Sequence, residues 1–459
     1  MRKRVLDILR KRAPLDKVEL SKALNLPPHH RSRLRELLTN MEKDGSIARV
    51  RKDRYVLPGE ADLVTGIIQF HPSGAAHLLS ETAGQQDLFV SAENTWTAMH
   101  GDRVVARIAT TAGNSDRWQS GPPQKRQGRV IRILERANPT IVGTIQQSKN
   151  FHYVVADDPR FVHNLYVSPP SPPLYCKPGD KVVARLDAWP SRHINPEGTI
   201  IEVLGTTGTP GVDMLSIIRK HRLPVEFPPA VLQEAASIPA QIPDAEIRRR
   251  MDLRGRMIIT IDPDDARDYD DAIEVQRTDK GWSVGIHIAD VSHYVPPKSE
   301  LDKEAVSRGN SVYLVDRVVP MLPEVLSNGI CSLKPDEDRL AFSVLAELTK
   351  QEKIHSVKFA KTVIRSAARL TYKQAYALLK DTPNTPVAQR VHTAWELAAI
   401  LRKNRFARGS LDLDFPEIKV WLDENGKPIK LEKIENDPSH QLIEEFMLLA
   451  NECVAHEVH

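Results

Sequence analysis

Three short blocks of sequence occur twice, in the same order and at nearly one offset, and this repetition restricts the fold more than any other feature. Gly66-Ile67-Ile68-Gln69 returns as Gly143-Thr144-Ile145-Gln146, and Asp87-Leu88-Phe89-Val90 returns as Asn164-Leu165-Tyr166-Val167, both 77 residues later. Gly101-Asp102-Arg103-Val104-Val105-Ala106-Arg107 returns as Gly179-Asp180-Lys181-Val182-Val183-Ala184-Arg185, 78 residues later. Self-similarity at a fixed period means that two copies of one small unit stand in tandem. Short alternating apolar runs broken by glycine turns make that unit a small β-barrel. The spacing places barrels at residues 61–110 and 128–205, with a linker at 109–127 that carries Gly113, Gly121, Pro122 and Pro123. A second break, Gly205-Thr206-Thr207-Gly208-Thr209-Pro210-Gly211, precedes the rest of the chain.

On either side of the barrels the charge changes sign. Residues 1–60 hold 16 Lys/Arg against 8 Asp/Glu, residues 61–205 hold 14 against 13, and residues 206–459 hold 34 against 39. A basic head on an acidic body suggests a polyanion-binding end joined to a part that holds cations; a solvated basic helix is the plainer alternative. In the head, Val5, Ile8 and Leu9 recur at helical spacing until Pro14, and Asp16 with Glu19 has the spacing of a capping box. Leu34, Leu37, Leu38 and Met41 form a third apolar stripe, with Arg31, Arg33 and Arg35 elsewhere on that helix and Gly45 at its end. Ile47, Arg49, Arg51 and then Tyr55, Val56 read as two strands around a turn at Lys52-Asp53. Three helices and a β-ribbon predict a winged helix-turn-helix at 1–60, with a protein-docking three-helix module as the alternative.

At 459 residues, 41% apolar and 27% charged, the chain has the composition of a soluble multidomain protein. No run approaches the roughly 18 apolar residues of a membrane span, so no membrane partner is expected. The opening MRKRVLDILRKRAP alternates apolar with charged residues and lacks the apolar core of a secretory signal. Cys176, Cys331 and Cys453 are too scattered for a disulfide framework or a zinc ribbon, and a cytoplasmic location is expected.

Residues 212–459 mix strand and helix. Strands are expected at 257–261, 272–275 and 282–289, the last two joined through Asp279-Lys280-Gly281, and helices at 370–379 and 442–454. Between the first two strands lies Asp262-Pro263-Asp264-Asp265-Ala266-Arg267-Asp268-Tyr269-Asp270-Asp271, six carboxylates in ten residues. Like charges packed so tightly raise one another's pKa values and destabilise the fold unless cations neutralise them. Oxygen-only donors favour Mg²⁺, with Mn²⁺ possible. A calcium EF-hand loop does not fit: counted from Asp262, position six is Arg267 where glycine is needed, and position twelve is Ile273 where glutamate is needed. The loop has no Cys or His for zinc. Carboxylates holding divalent ions, beside barrels that resemble nucleic-acid-binding cold-shock-type OB-folds, point to phosphodiester hydrolysis, with a structural cation site or a plain acidic turn as alternatives.

Several phrases together carry a family resemblance. In each barrel, G-x-I, then [DN]-[LF/Y]-V, then G-D-x-V resembles cold-shock-type OB-folds, which bind single strands by stacking bases on aromatics. The chain has Gly74-Ala75-Ala76-His77 where that family carries a run of aromatics, leaving Phe70, Phe89, Tyr153 and Tyr166 as platforms or core. The spacing Asp-x₅-Asp-x-Asp-Asp, met by Asp262, Asp268, Asp270 and Asp271, resembles the signature of the ribonuclease II/ribonuclease R exoribonuclease family. So do His287-Ile288-Ala289-Asp290-Val291-Ser292, Arg308-Gly309-Asn310-Ser311-Val312-Tyr313 and Val319-Pro320-Met321-Leu322-Pro323. Leu326-Ser327-Asn328-Gly329-Ile330-Cys331-Ser332-Leu333, Ala368-Arg369-Leu370-Thr371-Tyr372 and the stretch 443–451 extend the likeness. The head and paired barrels look more like the ribonuclease R branch.

The resemblance implies an α+β multidomain chain: winged helix, two OB-type barrels, and an RNB-type catalytic domain at 212–459. It implies a processive 3′→5′ exoribonuclease, a ribonuclease II-type phosphodiesterase; separately, a monomer is expected, though the sequence does not fix the oligomeric state. Such an enzyme takes single-stranded RNA, including RNA with 3′ overhangs, to nucleoside 5′-monophosphates with Mg²⁺. Carried over by position, Asp262, Asp268, Asp270 and Asp271 hold metal and Asp270 is the acid tied to the chemical step. Tyr313 stacks on the 3′-terminal base, and Tyr372 and Glu445 contact the terminal ribose. His287 and His293 belong to the local likeness but read as core or edge histidines, and Glu444 as a solvated helix residue. The sequence ends at His456-Glu457-Val458-His459, before the family's His-Tyr-x-Ser-Pro-Ile-Arg-Arg-Tyr run and C-terminal OB-fold. An incomplete catalytic domain is therefore expected, and the alternatives are an RNA-binding fragment with impaired catalysis and a DNA-binding regulator.

Overall fold

The computed structural model describes residues 1–27, 30–50, 53–82, 84–109, 126–149, 151–167, 175–411, 413, 415 and 417–459. These fall into two compact units, Met1–Arg222 and Leu223–His459. The first unit begins with helices α1 (Arg2–Arg12), α2 (Lys17–Ala23) and α3 (Arg31–Lys43), then an antiparallel ribbon of β1 (Ala48–Val50) and β2 (Arg54–Val56). Asp16 opens α2 as expected: its carboxylate accepts the Glu19 N–H at 2.8 Å, and the Glu19 carboxylate accepts the Asp16 N–H at 2.8 Å. Val5, Leu9, Leu20, Leu34, Leu38 and Met41 close a core over the ribbon's Tyr55, while Arg31, Arg33 and Arg35 stay exposed. Lys52 of the expected turn lies outside the described residues.

Two closed five-stranded barrels follow. The first contains β3 (Leu63–Phe70), β4 (Ala76–Ser80), β5 (Leu88–Val90), β6 (Arg103–Ile108) and β7 (Gln127–Glu135). The second contains β8 (Thr140–Ser148), β9 (Phe151–Ala156), β10 (Leu165–Val167), β11 (Asp180–Ala188) and β12 (Glu197–Thr206). They match strand for strand: β3-β4-β5-β7-β6 in one and β8-β9-β10-β12-β11 in the other, with parallel pairs only at β5–β7 and β10–β12. The repeated motifs have matching tasks. A Cβ on Gly66 would run into the carbonyl of Leu79, and one on Gly143 into that of Val155, so both positions need glycine for close strand approach. Asp102 is buried and accepts N–H bonds from Met99 (2.8 Å) and Ala137 (2.9 Å); Asp180 accepts one from Lys177 at 2.9 Å.

This pairing corrects the barrel boundaries. β7 closes the first barrel against β5 and β6, so that barrel runs on to Glu135 and does not end at 110, and the second begins at Thr140 and not at 128. The Gly/Pro segment read as an inter-barrel linker joins β6 to β7 within one barrel; its residues 110–125 lie outside the described set. Strand alternation continues only after that polar stretch, which is why position along the chain alone assigned β7 to the wrong copy. Helix α4 (Val212–Lys220) ends the unit.

The second unit starts with α5 (Pro229–Ser237), α6 (Asp244–Arg249), β13 (Met251–Asp252), β14 (Ile258–Asp262), β15 (Asp271–Thr278) and β16 (Gly281–Ala289). It continues through α7 (Val291–Tyr294), α8 (Glu300–Arg308), a small ribbon of β17 (Val312–Tyr313) and β18 (Val318–Val319), β19 (Asp338–Thr349) and β20 (Ile354–Thr371). Then come α9 (Tyr372–Lys380), α10 (Pro386–Ala407), the hairpin β21 (Glu417–Leu422)–β22 (Pro428–Ile434), and α11 (Pro438–Val458). The sheet order is β13-β20-β14-β15-β16-β19, and β19 also pairs with β20. One face, through Ile259, Ile261, Ile273 and Val284, packs on α9, α10 and α11; the other, through Ile258 and Ala272, packs on α5 and α8. Burial on both faces is why the strand at 257–261 reads as an unbroken apolar run. Among the described residues no helix is long and apolar enough to cross a membrane.

Candidate active site

β14 runs parallel to β20 with Asp262 opposite Thr371, and β15 returns antiparallel beside β14 from Asp271. The acidic segment therefore leaves the sheet at one strand end and re-enters at the next, bringing Asp262 and Asp271 to the same edge. Tyr372, the residue after β20, starts α9 there too. Thr371 caps that helix by accepting the Gln374 N–H at 3.1 Å, so the expected helix at 370–379 begins two residues later.

Backbone hydrogen bonds pin the loop. Ser332 Oγ accepts the Tyr269 N–H (3.0 Å) and donates to the Arg267 carbonyl (2.9 Å). The Leu333 N–H donates to the Tyr269 carbonyl (2.8 Å) and the Ala289 N–H to that of Asp270 (2.9 Å). From β20, Arg369 Nη2 donates to the Pro263 carbonyl at 2.6 Å.

Held in this way, the six carboxylates divide into two sets. Asp264 and Asp265 turn outward to Lys373 (2.8 Å) and Lys419 (2.9 Å), whose hydrogen bonds hold both carboxyls below their ordinary range. The other four are those the motif singles out. Asp262 is 7% exposed, its Oδ2 is buried without a hydrogen-bond partner, and burial followed by repulsion from Asp271 pushes it up to about 7. Asp270 is exposed as a residue, yet reduced hydration of its carboxyl, then Asp268 and Asp271, push it up to about 6. Burial also raises Asp271. Asp268 accepts the Tyr313 hydroxyl at 2.8 Å. The Tyr313 phenol is pushed up to about 12, first by partial burial and then by that bond, while the residue stays 65% exposed.

Raised carboxyls side by side, oxygen donors alone, and an orphaned buried oxygen among them fit a hard divalent cation, which would offset the repulsion. Among the described residues, no three His, Cys, Asp or Glu side chains converge as a finished ligand set.

Tyr372 stacks on His440, ring centroids 4.0 Å apart and planes 15° from parallel. Both line a cavity of about 400 Å³ with Phe415, Asn436 and Glu444. Glu445 does not reach that cavity. It is 3% exposed and paired with Arg405 (2.6 Å) and Arg402 (3.6 Å), so it does not stand beside Tyr372 as expected, whereas its neighbour Glu444 lines the cavity. Both glutamates reach Arg405, Glu444 at 3.2 Å, but a turn of about 100° per residue along the helix puts only Glu444 at the cavity. His287 is a core residue, as read from sequence: it is fully buried on β16, with Nδ1 hydrogen-bonded to Ser343 Oγ at 2.8 Å. His293 is partly exposed and stands on the short helix α7 and not on a strand, 3.7 Å from Glu246.

A family model described as RNB domain matches residues 250–459, one for a cold shock domain matches 153–228, and one for a ribonuclease B OB domain matches 66–133. Ribonuclease R of Thermotoga maritima is 41% identical over 433 residues, 93% of this chain and 59% of that protein. Ribonuclease R of Acidithiobacillus ferrooxidans is 34% identical over 401 residues, 85% of this chain and 89% of that protein. This chain belongs to the ribonuclease R family. A solved structure of Mycoplasma genitalium RNase R in complex with ribose methylated single-stranded RNA superposes with a TM-score of 0.76 at 29% identity, covering 86% of this chain and 62% of that one. The chain thus spans about three fifths of the length of the Thermotoga maritima and Mycoplasma genitalium ribonuclease R proteins.

Within this ribonuclease R framework, sequence reasoning missed the residues that hold the site in place. Ser332 and Arg369 lie inside family-like phrases, but a hydroxyl and a guanidinium that brace a loop through its carbonyls carry no spacing signal of their own. His440 stands three residues before the 443–451 stretch, one helical turn away, and only α11's approach to Tyr372 reveals it. On the barrels, Phe70 is core at 8% exposure. Tyr153 and Tyr166 pair across β9 and β10 and meet Phe151, whose ring is 5.0 Å from that of Tyr166. Phe151 is 42% exposed and lies outside the repeated phrases of its barrel. Phe89 stands edge-on to His77 at 5.5 Å.

Proposed function

We propose that this chain carries the RNA-binding barrels and the acidic centre of a 3′→5′ exoribonuclease acting on single-stranded RNA and RNA with 3′ overhangs. The observation that carries the proposal is the division of the acidic loop. Two carboxylates bind lysines, while Asp262, Asp270 and Asp271 have pKa values raised by burial, with repulsion from Asp268 or from one another adding at Asp262 and Asp270. These three and Asp268 would hold Mg²⁺ or Mn²⁺. When bound, such an ion supplies a nucleophilic hydroxide at neutral pH and charge stabilisation for the scissile phosphate and its 3′ leaving oxygen. Asp270, raised and still open to solvent, is suited to hold and pass a proton near neutral pH. Tyr313, oriented by its hydrogen bond to Asp268, offers an exposed ring on which the terminal base can stack. Tyr372 and Glu444 share a cavity suited to a ribose, where the 2′-OH separates RNA from DNA. The aromatic cluster of the second barrel serves as a base platform. The helical head, which we read as a winged helix, presents its arginines to the nucleic-acid backbone.

A second reading, an RNA-binding protein with impaired catalysis, draws on the fact that the acids do not converge as a finished ligand set among the described residues. One assay separates the two: 3′-tailed RNA with Mg²⁺, comparing the chain with Asp270→Asn. Release of nucleoside 5′-monophosphate that needs Mg²⁺ and is lost in the variant supports hydrolysis. Tight RNA binding with no release by either protein supports the second reading.

A further inference from the structure

In the first unit, a cavity of about 240 Å³ opens where the first barrel, the second barrel and the C-terminal end of α4 meet. His100 forms one wall, Asp158 and Arg160 another, and Lys220 and Arg222 a third. The Phe70 N–H donates to His100 Nδ1 at 3.1 Å, which makes Nδ1 the lone-pair nitrogen of the ring and leaves the proton on Nε2. Yet Nε2 lies 2.8 Å from Arg160 Nη1, an atom that can only donate. Two N–H groups therefore face each other without an acceptor. Adding a second proton would not relieve this, and burial together with Arg160 holds His100 below its ordinary range. Nor is Arg160 free to swing away. Its Nε and Nη2 are held by the two oxygens of Asp158 at 2.9 and 2.6 Å, and Lys220 Nζ approaches the same carboxylate at 3.7 Å. The single carboxylate is outnumbered by three permanent cations.

We propose that this cavity is a phosphate subsite, in which one anionic oxygen accepts from both His100 Nε2 and Arg160 Nη1. Lys220 and Arg222 supply the remaining positive charge. The ligand chemistry is a phosphate group, from the backbone of an RNA strand or from a free nucleoside 5′-monophosphate. The subsite lies wholly within the first unit and uses no residue of the acidic loop, so it stands or falls apart from the hydrolytic reading.

The test is calorimetric titration of the full chain in EDTA with inorganic phosphate, AMP and a twenty-nucleotide oligoadenylate, paralleled by NMR of ¹³C-labelled histidine rings. At least one titrant should bind and shift the His100 ring signals, and Arg160→Gln should weaken that titrant about tenfold or more. Binding of phosphate and AMP identifies the free monophosphate as the source. Binding of the oligonucleotide alone identifies the RNA backbone, and its log–log salt slope should then fall by about 0.7 in Arg160→Gln. If no titrant moves the His100 signals, or if folded Arg160→Gln binds as the parent does, the subsite is disproved.

Discussion

Glu445 sits almost sealed from solvent beneath Arg405 and Arg402, and removing it would take away the buried carboxylate of a pair whose other member, Glu444, both arginines also contact. Breaking a buried pair on one side is costly. Glu445→Ala should therefore lower unfolding stability by about 3 kcal/mol, measured by urea denaturation, while the preference for RNA over DNA in the variant that remains folded stays that of the parent. Glu444→Ala should do the reverse: little change in stability and a weaker RNA preference in a competition assay. His287 gives a pH signature. Burial pushes its imidazole down to about 3, so it is neutral in the fold and takes a proton on unfolding below its ordinary value. Its contribution to stability is thus fully present above about pH 6.5 and declines as pH falls toward 3. Across that window the parent should lose about 1.4 kcal/mol more per pH unit than His287→Gln, as read from urea midpoints at stepped pH. These residues carry motif positions whose environment no motif describes, because burial and partners come from elements distant in the chain.

At the scale of elements, each repeated phrase marks a place where one barrel strand approaches another. The G-x-I glycine lies against a neighbouring carbonyl, and the G-D aspartate locks the turn into β6 or β11. Such tasks are local, and so they were readable. The role of an aromatic was not, because strand alternation says that residues take opposite faces without saying which face is wet. Phe70 and Phe151 make the contrast testable. Phe151→Ala should weaken binding of a short oligoribonucleotide by about 1–3 kcal/mol with the melting temperature unchanged. Phe70→Ala should destabilise the first barrel by about 3–5 kcal/mol, visible as faster amide exchange in β3 and β4.

For the molecule as a whole, the division at Arg222 gives two units, each with its own hydrophobic cores. Unfolding should not be two-state. Calorimetry should resolve at least two transitions, and Glu445→Ala should move only the one belonging to the second unit. The same division clarifies what could be read in advance. The repeat, the capping box at Asp16, the acid spacing and the doubly buried strand before it were all legible, because each depends on neighbours within one turn, one hairpin or one fixed period. The closing of the first barrel by β7, the sorting of six carboxylates into lysine-bound and clustered sets, the exchange of Glu444 for Glu445 beside Tyr372, and the facing donors of His100 and Arg160 were not. Each of those depends on which distant strand or helix end arrives at a given point, and on how much water that arrival expels. Neither quantity is written in the spacing of residues along a chain.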